Sequence, residues 1–175
     1  MGSPLERCGL SNVSQILALP SDPTASRFTA HARMSATPED AIFAPPFNNK
    51  TKSILQIADD VLAAKIAMAH HDTDTAIAHL KNAVAVQDTL KYGEPPDWYY
   101  PVRESLGAAL LIIGDATAAE KVFREDLNRN PRNPRSLFGL VESLRKQDRA
   151  YDAEFVESQF RDAWKGSSLH LEDLV

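Results

Sequence analysis

The densest cluster of ligand-type side chains in the chain is His70-His71-Asp72-Thr73-Asp74. Imidazoles and carboxylates are donors that a divalent metal takes. A metal site on helices, however, needs them at i and i+4, or at fixed Cys/His spacing. Adjacent histidines point apart, so the run reads as a solvated turn, and no metal or cofactor is expected. A second grouping is acidic: Asp59, Asp60, Glu94 and Asp97. A carboxylate pair across a groove could do acid–base work, but no histidine or nucleophile is tied to these four by motif. Cys8 is the single cysteine, which leaves no partner for an intramolecular disulfide. There is no P-loop, no glycine-rich dinucleotide loop and no GxSxG. The expectation is therefore a protein that is not an enzyme. Arg132, Arg135, Arg145, Lys146 and Arg149 form a basic concentration flanked by acidic residues. It reads as a solvated rim, with contact to an acidic partner as the alternative.

The elements that would carry these residues centre on residues 105–131, SLGAALLIIGDATAAEKVFREDLNRNP. A helix is expected over 102–113, apolar on more than one side, as a helix packed between neighbours should be. Gly114 can take the left-handed conformation that closes it, and Asp115 can cap the next helix. That second helix, over 117–130, places Ala118, Val122, Phe123 and Leu127 near one face, and Asn130-Pro131 stops it.

The unit recurs. A step of 34 residues carries Ala119 to Ala153, Leu106 to Leu140 and Leu110 to Leu144. Gly107 maps to Val141 and Gly114 to Asp148, so this copy is degenerate. Backwards, Ala76 plays the part of Ala119, Leu80 that of Phe123 and Ala64 that of Gly107. The interval from Ala76 to Ala119 is 43, and the nine extra residues lie near KYGEPPDWYY, where two prolines and a glycine forbid regular helix. Leu106-Gly107, Leu110, Gly114, Ala119, Phe123 and Pro131 stand where a tetratricopeptide repeat wants them, and the segment resembles that helix-turn-helix of about 34 residues. The run Tyr92-x-Glu94-Pro95-Pro96-x-Trp98-x-x-Pro101-x-Arg103-x-x-Leu106-Gly107-Ala108 looks like one found toward the C-terminus of bacterial tetratricopeptide-repeat proteins of unassigned role. Phe123-Arg124-Glu125-Asp126-Leu127, Asn130-Pro131 and Ser136-Leu137-Phe138-Gly139-Leu140 look like the same group. The resemblance covers residues 54–164. It implies an all-α fold, a tetratricopeptide-like right-handed superhelix of about three helical hairpins with an irregular N-terminal arm, and it supplies no chemistry.

Composition agrees with a globular chain. Apolar residues make up 43% and charged residues 25%, and the net charge is −5. That balance disfavours nucleic acid as a partner. No apolar run approaches membrane-spanning length, and MGSPLERCGLS lacks an apolar signal core. A cytoplasmic protein is expected, with a removed leader or a larger parent chain as the alternative. Residues 1–52 form a proline-rich arm holding six of the eleven prolines, with short helices expected over 12–19 and 25–36 and an extended stretch at 41–47. Residues 53–166 hold the three hairpins: helices over 53–70 and 74–90, then the pair above, then 134–147 and 152–164. Thr51 or Ser53 should cap the first of these, and Pro134 suits an opening turn. Residues 167–175 form a tail expected to fold over the last hairpin as a partial cap.

A stack of hairpins curves, and the first helix of each lines the concave side. In this register Val61, Lys65 and Met68 face inward from the first hairpin. Glu104, Ala108, Leu111 and Ile112 do so from the second, and Arg135, Phe138, Glu142, Arg145 and Lys146 from the third. Trp98, Tyr100 and Arg103 add a loop at the groove mouth, where Trp98 serves as a structural strut or the tyrosines as interaction anchors. Glu94 is a candidate partner for Arg103. The expected function is a protein-interaction module, a scaffold or adaptor that grips a peptide or protein segment with an acidic end in the groove. The groove could equally hold the protein's own N-terminal arm. Peptide-binding members of the resembled fold use an Asn/Lys carboxylate clamp, and only Lys65 could stand in for part of one. The alternative function is a structural or regulatory domain of a larger enzyme or assembly whose catalytic part lies elsewhere.

Overall fold

A computed structural model describes Arg27, His31, Ala32, residues 35–42 and residues 49–175. From Thr51 onward the chain forms six α-helices: α1 (Thr51–Ala69), α2 (Thr73–Gln87), α3 (Val102–Ile112), α4 (Ala116–Arg129), α5 (Pro134–Arg145) and α6 (Ala150–Ala163). A 3-10 turn, Leu171–Leu174, follows. The described residues contain no strand, only an isolated bridge between Ile42 and Lys50. The chain is all-α.

One turn geometry is used three times. His71, Gly114 and Asp148 have positive φ, at 59°, 90° and 57°. Each is followed by a residue whose N–H returns to the helix before it: Asp72 to Ala67, Asp115 to Leu110 and Arg149 to Leu144, at 2.9, 2.9 and 3.0 Å. A left-handed residue with this long return bond satisfies carbonyls that a helix end otherwise leaves open. Asp72 and Asp115 then cap the next helix, accepting from Thr75 N–H and Ala118 N–H. The third turn has Arg149 in that place and lacks a side-chain cap. Consecutive helices pack on one another, α1 on α2, α3 on α4 and α5 on α6, and α4 packs on α5 as well.

Packing follows from small residues. Ten successive residues of α3, Val102 to Leu111, are buried, so this helix lies at the centre. The Phe123 ring, fully buried, sits between Gly107 of α3 and Gly139 of α5. A Cβ at Gly107 would lie 2.7 Å from two ring carbons, closer than carbon atoms can approach. The glycine was expected against Ala119; its nearest neighbours are the Phe123 ring atoms. Ala64, Ala76, Ala83, Ala109, Ala119 and Ala153 likewise let backbones come close in the core.

Several boundaries differ from expectation. No side chain caps α1, where Thr51 or Ser53 was expected to do so. Its start is instead tied by main chain, with Thr51 N–H donating to the Ala41 carbonyl at 2.8 Å. Helix α2 stops three residues short of 90, because Gln87 turns to the following loop: its amide donates to Tyr100 O and its oxygen accepts from Val102 N–H. The tail does not stay on the last pair, which it touches through Arg135 of α5. It crosses to α3, and Leu174 enters the core at 2% exposure. Of the N-terminal arm, the expected helix at 12–19 and most of the extended stretch at 41–47 lie outside the described residues. Asn49, buried, clamps the main chain of Lys91 in both directions at 2.8 and 2.9 Å and also donates to Asp97.

Candidate peptide-interaction face

Helices α1, α3 and α5, the first of each pair, share a face on which residues 173–175 lie. Lys65 Nζ of α1 donates to the Val175 main-chain oxygen at 2.9 Å. Ser105 Oγ of α3 donates to the Leu174 oxygen at 2.7 Å. Arg135 Nη2 of α5 donates to the Asp173 oxygen. Lys65 stands late in its helix, Ser105 early, and Arg135 in the first turn. The three donors therefore run obliquely across the helices.

Arg135 is held by a buried polar network. Its Nε donates to Glu104 Oε2 at 2.6 Å, and Asn133 Nδ2 donates to Glu104 Oε1 at 2.8 Å. Asn133 also donates to Asp126, which accepts from Ser136 Oγ at 2.6 Å and from Asn130. Glu104 and Asp126 are almost fully buried. Burial pushes the Glu104 carboxyl up from its ordinary value, and the bonds from Asn133 and Arg135 oppose that. The network fixes the α4–α5 turn and aims the Arg135 guanidinium at the face.

The expected inward residues take several different positions. Lys65 and Arg135 meet the tail. Met68 and Phe138 are half-buried against the core, with Phe138 packed on the Phe160 ring at 5.8 Å. Val61, Ala108 and Leu111 are core residues, Leu111 fully buried, with residues 169–175 in place. This corrects their placement as open groove residues: Val61 turns into the core from α1, and α3 is covered by its neighbouring helices and by the tail. Ile112 is 44% exposed at the helix end. Glu142 and Arg145 pair at 2.9 Å, and Arg145 also reaches Glu157 at 2.8 Å. Lys146 donates to the Leu111 carbonyl at 3.2 Å. These three tie α5 to α6 and to α3.

The loop residues stand elsewhere. Arg103 does not pair with Glu94. Its guanidinium makes two bonds to Asp88, at 2.7 and 2.6 Å, and lies 3.9 Å from Glu125. Glu94 accepts from the Tyr92 hydroxyl instead. Arg103 is 7% exposed, so it joins α2, α3 and α4 from within. Arg103 and Arg129 hold the Asp88 carboxyl below the usual range, chiefly through the Arg103 bonds. Trp98 is half-buried and makes tilted ring contacts with Tyr99 and Tyr100 at 5.5 and 5.8 Å. Tyr100 is half-buried, and burial pushes its hydroxyl pKa up, whereas Tyr99 is 80% exposed. Trp98, Tyr100, Arg103 and Arg129 line a cavity of about 600 Å³ beside the loop.

The acidic and histidine candidates are not brought together. Asp59 and Asp60 are buried in α1, where Asp60 accepts from Gln56 and meets His79 Nδ1 at 2.8 Å. Asp97 pairs with Asn49, and His70 and His71 are exposed. Sequence reading missed Ser105, whose only signal is a hydroxyl inside an apolar helix. It also missed Leu174, signalled by the alternation in LHLEDLV. Among the described residues no helix is long and apolar enough to cross a membrane. Comparisons with protein-family models, with curated proteins and with solved structures find no match.

Proposed function

We propose that the chain is a protein-interaction module, a tetratricopeptide-like superhelical scaffold that takes a peptide or protein segment on the α1–α3–α5 face. One observation carries this reading: each helix pair contributes one donor, Lys65, Ser105 or Arg135, to three consecutive main-chain oxygens. A face built to read backbone carbonyls serves an extended segment. The thrice-used turn supports the repeat architecture.

The test is selection of a displayed random-peptide library on the full chain, run in parallel on a Lys65→Ala/Arg135→Ala variant. Enrichment on the unaltered chain that disappears on the variant is expected. Enrichment that is the same on both chains would place recognition on another surface.

A further inference from the structure

Residues 169–175 sit on this face as a bound ligand would. Leu174 is 2% exposed and joins the hydrophobic core, while the main chain on either side supplies the three accepted bonds. The Asp173 side chain turns away from the donors and accepts from His170 N–H at 2.8 Å, and Asp173 N–H donates to the His170 carbonyl at 3.1 Å. These two bonds close the 3-10 turn upon itself. Gly166, Ser167 and Ser168, which lead into it from α6, are exposed. The segment is thus a preformed turn on a short tether, held by the buried Leu174, by the part-buried Leu169, Leu171 and Val175 beside it, and by main-chain bonds.

Charge on the face is uneven. Arg135 is neutralised by Glu104 at 2.6 Å. Lys65 is exposed, and its ammonium donates to the Val175 oxygen at 2.9 Å. The face therefore carries an exposed cation at the end where the segment leaves Leu174, and the segment itself supplies its oxygen partner.

Resting on the reading of this face as an interaction surface, we propose that residues 169–175 occupy it in cis as a strap that an incoming segment displaces. The incoming segment is a peptide with an aliphatic side chain in the place of Leu174 and apolar neighbours in the places of Leu171 and Val175, consecutive carbonyls for Ser105 and Arg135, and an acidic group just beyond for Lys65. A tethered occupant acts at an effective concentration in the millimolar range. It lowers the apparent affinity for a free peptide by the fraction of chains in which the face is open.

The probe is a fluorescent, amidated peptide of residues 167–175, titrated against the full chain and two full-length variants. Asp173→Pro removes the Asp173 N–H and the carboxylate that caps His170. Leu174→Asp removes the aliphatic anchor. Both changes lie outside α1–α6, so circular dichroism shows whether the helices persist, and hydrogen exchange shows whether residues 169–175 are released. In the released variant the peptide should bind at least tenfold more tightly than in the unaltered chain, and Lys65→Ala in that background should reverse most of the gain. Equal affinity for the unaltered and released chains would overturn the strap and leave the face standing as a peptide site. A tail that stays protected in both variants overturns the strap as well. No binding to a chain whose tail is released and whose helices persist would overturn both the strap and the interaction surface.

Discussion

Gly114 and Gly107 use the absence of a side chain in two different ways. Gly114 has φ 90° with open space where a Cβ would stand, so conformation alone requires glycine there. Gly114→Ala should cost about 1–2 kcal/mol from left-handed strain, read as a lower urea midpoint; an unchanged midpoint would mean the turn can relax. Gly107 has an ordinary φ and no space. Gly107→Val should cost at least about 1–3 kcal/mol by overpacking against Phe123. Both roles could be read from sequence, since spacing marked each glycine, but the Phe123 contact required knowing that α5 brings Gly139 to the other side of the ring. The Arg103–Asp88 pair was not legible, because Asp88 and Arg103 lie on either side of an irregular loop. Arg103 holds the Asp88 pKa down. The pair therefore stabilises the fold above the unfolded carboxylate pKa, and this is lost as pH falls through the lowered folded value. Asp88→Asn should cost roughly 2 kcal/mol at neutral pH, and the gap to the unaltered protein should shrink in acid. A gap that persists after Asp88 is protonated would show that packing, not charge, carries the loss. Glu104 has the opposite sign: its raised pKa favours the protonated fold, and that contribution fades as pH rises through the folded value.

Helices were legible wherever small and apolar residues keep the 34-residue spacing, and boundaries were least legible where tertiary bonds decide them. α1 starts on the Ala41 carbonyl, not on a side-chain cap, and α2 ends where Gln87 turns to Tyr100 and Val102. The loop between α2 and α3 is fastened at both ends, by Asn49 and by Gln87, with Trp98 packed on the core between. Trp98→Ala should therefore lower the thermal midpoint, by about 2–4 kcal/mol of stability for a half-buried aromatic, whereas Tyr99→Ala, at 80% exposure, should leave it within about 0.5 kcal/mol. Similar losses for both would contradict the loop as a strut. The tail was misplaced because an apolar-acidic alternation says that a segment packs, not where. A final pair would have been capped by it equally well on sequence grounds.

For the whole molecule, the three pairs matter together because one short segment touches all of them. The donors Lys65, Ser105 and Arg135 are spread over 70 residues of sequence and do not share a repeat position, so no periodicity could assemble them. Only the folded arrangement of the helices, with α2 packed between α1 and α3 by contact with each, does. The most direct measurement is the affinity of the amidated 167–175 peptide for the Asp173→Pro chain carrying, in turn, Lys65→Ala, Ser105→Ala and Arg135→Ala. Losing either solvent-accessible charged donor should cost up to about 1 kcal/mol and losing the buried serine about 1 kcal/mol, which is up to about fivefold for each. Weakening by all three, one from each helix pair, is the predicted result. Affinity unchanged by substitutions in any one pair would contradict a face that spans the whole array.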